Sequence, residues 1–104
     1  MANSSIYLIK CTEDSNYKIG VSKNPTERLR THQTSNPFQL KLVGIYETER
    51  AFQIEKILHR RYSYAKKEGE WFDLSIKEEI EFVRECNRID ESLNDLARSG
   101  NVFI

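Results

Sequence analysis

The chain has 104 residues, 38% of them hydrophobic and 31% charged, and its formal net charge is zero. These values exclude a disordered chain, and the length allows one domain with a single modest core. Every apolar run is far shorter than the ~18 residues of a membrane helix, and residues 1–5 lack the features of a signal peptide. We therefore expect a cytoplasmic protein without a membrane partner, in which Cys11 and Cys86 are free thiols.

The zero net charge conceals an uneven distribution along the chain. Residues 1–67 contain 12 Lys and Arg against 6 Asp and Glu, whereas residues 68–104 contain 4 against 10. A locally basic surface attracts phosphates, so a nucleic-acid partner is compatible with a neutral chain. Charge scattered over a solvated surface would give the same counts.

The first elements predicted are two strands and a helix. Strand formers from Ile6 to Lys10 and from Tyr17 to Ser22 flank the turn formers of residues 12–16, which indicates a hairpin. Asn24 suits a helix cap, with Pro at the first helical position and Glu three residues after the cap. This pattern predicts a helix over residues 25–33.

A third strand and a long helix follow. The run from Leu40 to Tyr46 predicts a strand in which Gly44 marks a bulge or a close approach. Thr48 is the expected cap of a helix over residues 49–65. The apolar residues of that helix recur at helical spacing: Ala51, Ile54, Ile57, Leu58, Tyr62 and Ala65.

Residues 66–69 end this helix, and Ser75 with Glu78 forms a capping box that opens a last helix. The residues expected on its buried face are Ile76, Ile80, Val83, Cys86 or Asn87, and Leu93. The resulting order ββαβαα predicts an α/β (α+β) fold with a small three-stranded, mainly antiparallel sheet flanked by helices. A polar tail is expected around residues 98–101.

Two helices carry polar pairs at i, i+4 spacing, where side chains are neighbours. Glu55 lies at the edge of the apolar stripe with His59 one turn further, and such a carboxylate needs a cation, a hydrogen-bond network or a metal. An ordinary surface pair of Glu55 with His59 or an arginine is the alternative. Arg28 and His32 flank Leu29 on the first helix, and the Arg28 fork suits a phosphate, although a solvated charge explains it too.

The predicted hairpin carries Tyr7 and Lys18. Alternation along the strands places Tyr7 with Ile9 on one face and Lys18 with Gly20 on one face. If the two faces coincide, the ammonium would favour the phenolate and lower the pKa of Tyr7 from about 10. Tyr7 as a plain strand aromatic is the alternative.

These segments together resemble the GIY-YIG nuclease superfamily, in its phage-associated branch whose second motif reads Lys-Ile-Gly. The resemblance covers residues 5–83 and implies a nuclease domain over residues 1–85, with residues 86–104 forming the end of the last helix and the tail. The matching segments are Ser5-Ile6-Tyr7, Lys18-Ile19-Gly20, Arg28 to His32, Glu55 to His59 and Glu70-Trp71-Phe72. Ser5 replaces the first glycine of the family pattern, Lys18 replaces a tyrosine, and Glu70 falls near a late polar position.

What this resemblance implies is metal-dependent endonucleolytic hydrolysis of DNA phosphodiester bonds, of phage or mobile-element type. Tyr7 would be the general base or orient the attacking water, and Lys18 would assist it. Arg28 would grip the phosphate, and His32 would relay protons or stabilise the leaving group. Glu55 would hold one Mg²⁺ or Mn²⁺ ion, the type of site in which one carboxylate is joined by waters.

DNA contacts would have to come from the domain itself, or specificity from a homodimer or a protein partner. The residues expected to contact nucleic acid are Lys10, Lys23, Arg30, His59, Arg60 and Arg61, with Lys66 and Lys67. Trp71 or Phe72 could stack on bases, while at least one is expected in the core. The alternatives are a catalytically inactive nucleic-acid-binding module of the same fold, and an adaptor that uses the acidic residues of the last helix.

Overall fold

The computed structural model describes residues 3–98. It contains four strands, three α-helices and a short 3₁₀ helix over Ser63–Ala65. In chain order the elements are β1 (Ser4–Cys11), β2 (Asn16–Ser22), α1 (Pro25–Thr34), β3 (Leu40–Thr48), α2 (Ala51–Arg61), β4 (Trp71–Asp73) and α3 (Ile76–Arg98). The tail expected beyond residue 98 lies outside the described residues. The domain boundary predicted after residue 85 falls within α3 and stays a prediction.

The sheet has four antiparallel strands in the order β3-β1-β2-β4. The prediction of three strands in the order ββαβαα was therefore wrong. The additional strand, β4, pairs with the first half of β2 over only three residues, so it is too short to show alternation in the sequence. It follows a turn in which Gly69 has a φ of +64°, a value that favours glycine.

Two hydrophobic clusters lie on opposite faces of the sheet, as alternation along the strands requires. The larger cluster packs α2 and α3 against one face, and it includes Ile6, Leu8, Tyr17 and Ile19. The smaller one joins Tyr7, Ile9, Cys11 and Leu40 to Leu29 of α1. The helices α2 and α1 thus lie on different sides of the two central strands.

Two of the three predicted helix starts are confirmed. The side chain of Asn24 accepts a hydrogen bond from the amide of Glu27 at 3.2 Å. Ser75 and Glu78 form both bonds of a capping box, at 2.8 and 3.1 Å. The third start was wrong, because α2 begins after Arg50 and the Thr48 hydroxyl accepts from the Arg50 amide at 3.2 Å in a turn before the helix.

The helix α3 buries a face that matches the prediction only in part, since Cys86 and Leu93 are buried as expected. Its buried residues are Phe82, Cys86, Ile89 and Leu93, whereas Ile76, Ile80 and Val83 are exposed. The close approach of β3 decides the face, since a Cβ on Gly44 would lie 3.1 Å from the Phe82 ring. The predicted role of Gly44 as a point of close approach is confirmed, and the register shifts beside it.

Both cysteines are free and buried, as predicted. Within residues 3–98 we find no helix that combines the length and the apolar character required to span a bilayer.

A polar network fastens α3 to the start of α2 and to β3. Asp90 accepts from Arg50 Nε at 2.8 Å and from the Tyr46 hydroxyl at 2.9 Å. Burial acts to raise the pKa of Asp90, but the hydrogen bonds from Arg50 and Tyr46 outweigh it, so the pKa lies below its ordinary value of 3.8. Burial, and after it the hydrogen bond to Asp90 and the charge of that carboxylate, raises the pKa of Tyr46 to about 12.

We expect Asp90→Asn to lower the free energy of unfolding by about 1–3 kcal/mol at pH 7, because it removes the charged acceptor of two hydrogen bonds. Since the pKa of Asp90 is depressed in the folded state, its contribution is present above pH 3.8 and is lost as the pH falls through the folded value. Urea unfolding at pH 7 and at pH 3 measures both effects. Asp95→Asn, on the exposed side of α3, is the control, and an equal loss in both variants would contradict the assignment.

Candidate functional site

The candidate site is built around Tyr7, which lies in β1 directly opposite Gly20 of β2. Its side chain is buried, with 1% exposed, and its ring lies across the backbone of Gly20. A Cβ added to Gly20 would come within 2.3 Å of the Tyr7 hydroxyl. Glycine is therefore required at this position for the ring to lie where it does.

The helix α1 brings His32 and Arg28 to the Tyr7 hydroxyl. Tyr7 Oη lies 3.4 Å from His32 Nε2, a long hydrogen-bond distance. Burial raises the pKa of Tyr7, Arg28 opposes the rise by hydrogen bonding and by its charge, and the negative charges of Glu70 and Glu55 add to it. The predicted lowering of this pKa by Lys18 was wrong, because loss of hydration outweighs the opposing effect of Arg28.

Lys18 lies on the same face of the sheet as Tyr7, because it pairs with Ile9, two residues further along β1. Its ammonium lies 3.6 Å from a carboxylate oxygen of Glu70 and 5.4 Å from the ring centroid of Trp71. Only 14% of the Lys18 side chain is exposed. The register of β2 with β4, in which Lys18 is opposite Trp71, creates both contacts.

His32 is held in its neutral form. Burial lowers its pKa below 6.5, and the positive charges of Lys18 and Arg28 lower it further, while Glu70 acts in the opposite direction. At neutral pH the imidazole is therefore unprotonated and has one ring nitrogen able to accept a proton.

Glu55 and His59 of α2 reach the same region from the edge of the larger hydrophobic cluster. Glu55 is half-buried, and burial raises its pKa; the nearby His59 opposes the rise and Glu70 adds to it. Glu55 Oε2 lies 3.9 Å from His59 Nε2. His59 itself donates from Nε2 to the carbonyl of Ile19 at 3.0 Å and packs edge-on against Phe72.

The five residues predicted as catalytic therefore come together, although they originate from four elements. Arg28 and Glu55 influence the pKa of Tyr7, and Lys18 and Arg28 influence the pKa of His32. His59 and Glu70 influence the pKa of Glu55. The group consists of Tyr7, Lys18, Arg28, His32 and Glu55, and Glu70 and His59 lie with it. An arrangement of cations, a neutral imidazole and a half-buried carboxylate can bind a phosphate and accept a proton beside it.

The other residues predicted to contact nucleic acid are divided between ion pairs within the protein and exposed positions. Lys10 is on the opposite face, where it pairs with Glu79 of α3 at 3.2 Å. Arg61 pairs with Glu85 of α3 at 2.6 Å, and Arg30 pairs with Glu27 within α1. Lys23 and Arg60 are exposed, and so are Lys66 and Lys67.

Glu70 and Trp71 had no definite role assigned from the sequence, yet both adjoin Lys18. Their place depends on the pairing of β4 with β2, which no local pattern indicates. The expectation that Trp71 or Phe72 lies in the core is confirmed, because Phe72 is fully buried.

The carboxylates at the site are the type of donor that a hard cation such as Mg²⁺ prefers. Among the described residues, no group of three or more His, Cys, Asp or Glu side chains is arranged to hold a metal. Mg²⁺ usually keeps several waters and is bound through one or two carboxylates together with substrate phosphates. Glu55, with Glu70 near enough to influence its pKa, provides carboxylates of this kind.

Comparison with known proteins identifies the family. The family model of the T5orf172 domain matches residues 4–87, so the chain belongs to the T5orf172 domain family. Domains of this family are associated with DNA-binding and nuclease-like roles.

The chain is also 35% identical, over 75 residues, to protein 315L of Invertebrate iridescent virus 6, which is described as containing a KilA-N domain. This alignment covers 67% of the chain and 32% of the viral protein, so the chain matches about a third of that relative's length. No solved structure matches the chain.

The proposed resemblance to the GIY-YIG superfamily was wrong. The family that matches residues 4–87 is the T5orf172 domain, and this match covers all five segments on which the resemblance was based. Those segments are short, and similar residues at similar spacing occur in more than one family.

We expect Gly20→Ala to lower the free energy of unfolding by about 1–3 kcal/mol, because the buried Tyr7 ring must move to make room. Chemical unfolding of Gly20→Ala, Tyr7→Leu and the double variant measures the coupling between the two positions. The alanine should cost less in the Tyr7→Leu background. Equal costs in both backgrounds would show that the ring does not lie against Gly20.

We expect the pKa of His32, followed by NMR titration of its ring protons, to lie below 6.5 in the wild type. Lys18→Met should raise this pKa, because one of the positive charges that disfavour the imidazolium is removed. Lys56→Met, on the exposed side of α2, is the control. An unchanged His32 pKa in Lys18→Met would contradict the proximity of the two groups.

Proposed function

We propose that this protein is a divalent-metal-dependent nuclease that hydrolyses phosphodiester bonds of DNA. The observation that carries the proposal is the convergence of Arg28 and Lys18 with a neutral His32 and a half-buried Glu55 around the Tyr7 hydroxyl. Membership of the T5orf172 family and the viral relative support it.

Arg28 and Lys18 are the groups that bind the phosphate in this proposal. Arg28 presents a planar fork that donates two parallel hydrogen bonds to phosphate oxygens. Lys18 adds a point charge whose partner, Glu70, is 57% exposed. A phosphate could therefore replace Glu70 as the partner of Lys18 without leaving a buried carboxylate unpaired.

His32 and Tyr7 handle the proton. Because its pKa is lowered, His32 can accept a proton from the attacking water at neutral pH. Tyr7 keeps its own proton, since its pKa is raised, and it acts as a hydrogen-bond donor that orients the water or a phosphate oxygen. This division assigns the base to His32 and leaves Tyr7 the second of its two expected roles, that of orienting the attacking water.

Glu55 would hold one Mg²⁺ or Mn²⁺ ion, with Glu70 as the nearest additional carboxylate. A bound divalent cation stabilises the charge that develops on phosphate oxygens and lowers the pKa of water. Burial, and after it the charge of Glu70, raises the pKa of Glu55, and a cation bound to the carboxylate would offset both effects. His59, one turn from Glu55, donates to the Ile19 carbonyl and so joins this part of α2 to β2.

DNA would cover the face formed by α1 and the adjoining edge of the sheet. Lys23 and Arg60 are exposed and can contact neighbouring phosphates, so binding should weaken as the salt concentration rises. The acidic residues of α3 are largely engaged within the protein, including Glu79 with Tyr17 at 2.6 Å and Glu85 with Arg61. An adaptor function of that helix is therefore not favoured.

We expect the wild type to nick supercoiled plasmid DNA in the presence of Mg²⁺ or Mn²⁺, and EDTA to abolish the reaction. Glu55→Gln should slow cleavage by about 100-fold or more, because it keeps the shape of the side chain but removes the charge that holds the cation. Glu47→Gln, on the exposed side of β3, should cleave like the wild type.

Retardation of DNA on a gel without cleavage by any variant would contradict the enzyme and identify a nucleic-acid-binding module. Cleavage by Glu55→Gln at the wild-type rate would contradict the metal site while leaving a nuclease.

A further inference from the structure

A cavity of about 380 Å³ adjoins the candidate site, and it is lined by residues that none of the proposed steps uses. Its volume falls within the range of ~300–1,000 Å³ that is typical of small-ligand pockets. Two aromatic side chains, Phe38 and Trp71, line it together with Asp14, Asn36 and Lys67.

Trp71 connects the cavity to the site. The Lys18 ammonium lies 5.4 Å from the centroid of the Trp71 ring, while the same residue lines the cavity. A nucleotide with its phosphate at Lys18 and Arg28 therefore has the cavity beside it. The main chain of Trp71 is fixed by hydrogen bonds with Lys67 and Glu68, at 2.8 and 3.3 Å.

Phe38 is an exposed aromatic on a well-fixed loop. Half of its surface is exposed, so its ring is accessible to a ligand in the cavity. Its amide donates to Asn36 Oδ1 at 2.9 Å, and its carbonyl accepts from Gln33 Nε2 at 2.9 Å. Gln33 Oε1 also accepts from the Leu40 amide at 2.8 Å, so both ends of the loop are held.

The polar atoms of the cavity suit the edge of a nucleobase. Both carboxylate oxygens of Asp14 accept a bond from Asn16, at 2.8 and 3.1 Å, and each oxygen can accept one more. Because Asn36 uses its side-chain oxygen for the Phe38 amide, its NH₂ group is the donor that can serve a ligand. Stacking surfaces with amide and carboxylate groups are how proteins bind unstacked bases.

We propose that this cavity binds one unpaired nucleobase next to the phosphate that the site holds, with Phe38 and Trp71 as the stacking residues. The inference rests on the proposed function and narrows its substrate. A base inside a regular duplex is stacked on both sides and cannot enter a pocket without leaving the helix. The preferred substrate is therefore DNA that contains a single-stranded, bulged or mismatched nucleotide.

The test uses Glu55→Gln protein in EDTA, so that binding is measured independently of cleavage. Two duplexes of the same sequence carry 2-aminopurine, either paired or as a single-nucleotide bulge. We expect the bulged duplex to bind more tightly and its fluorescence to be quenched on binding, since the probe stacks. Adding Phe38→Ala should weaken binding of the bulged duplex by about tenfold or more and leave the paired duplex unchanged.

Two further variants separate stacking from general effects. Phe38→Tyr keeps an aromatic ring and should restore both affinity and quenching. Tyr64→Ala removes a side chain that is 72% exposed and does not line the cavity, so it should bind like the parent. Equal binding of paired and bulged DNA, or equal weakening of both by Phe38→Ala, would overturn the proposal.

The result also distinguishes this proposal from the nuclease itself. A Phe38-dependent preference for bulged DNA, in a protein whose wild type cuts no DNA, would support the base pocket and overturn the enzyme. Cleavage by the wild type without any preference for the bulge would support the nuclease and overturn the base pocket.

Discussion

The antiparallel pairing of β1 with β2 is the constraint on which the rest of the structure depends. It sets Tyr7 opposite Gly20 and Ile9 opposite Lys18, so the phenol and the ammonium belong to one face of the sheet. The missing side chain of Gly20 provides the space for the Tyr7 ring. A slip by one residue would turn Tyr7 into the larger hydrophobic cluster and remove the centre of the candidate site.

Most of the core lies on one face of the sheet and most of the candidate site on the other, with Glu55 of α2 reaching the site from the side of the core. The large cluster under α2 and α3 contains most of the fully buried residues, while α1 covers the other face and contributes no buried residue of its own. Polar groups that are half-buried beside Tyr7 cost free energy, as the raised pKa of Glu55 indicates. The extensive packing on the opposite face allows the fold to tolerate this cost.

Local patterns predicted well what depends on neighbours in the chain. The caps at Asn24 and Ser75, and the i, i+4 pair of Arg28 with His32, follow from a few adjacent residues. Features that depend on distant contacts were not predictable. The strand β4 is too short for periodicity, and α3 has a second apolar stripe that packing leaves exposed. The direction of the Tyr7 pKa shift depended on burial, which a single neighbouring charge does not reveal.

The two thiols lie in different hydrophobic clusters: Cys11 of β1 is in the smaller cluster and Cys86 of α3 is in the larger one. Cys86 cannot be alkylated while its cluster is closed, and burial raises the pKa of its thiol to about 12. Cys11, by contrast, lines the cavity beside Phe38 and Trp71. Labelling of Cys86 would report detachment of α3, whereas labelling of Cys11 would report access to the cavity, which a bound base would block. The chain thus carries one thiol that reports local unfolding and a second that reports occupancy of the cavity.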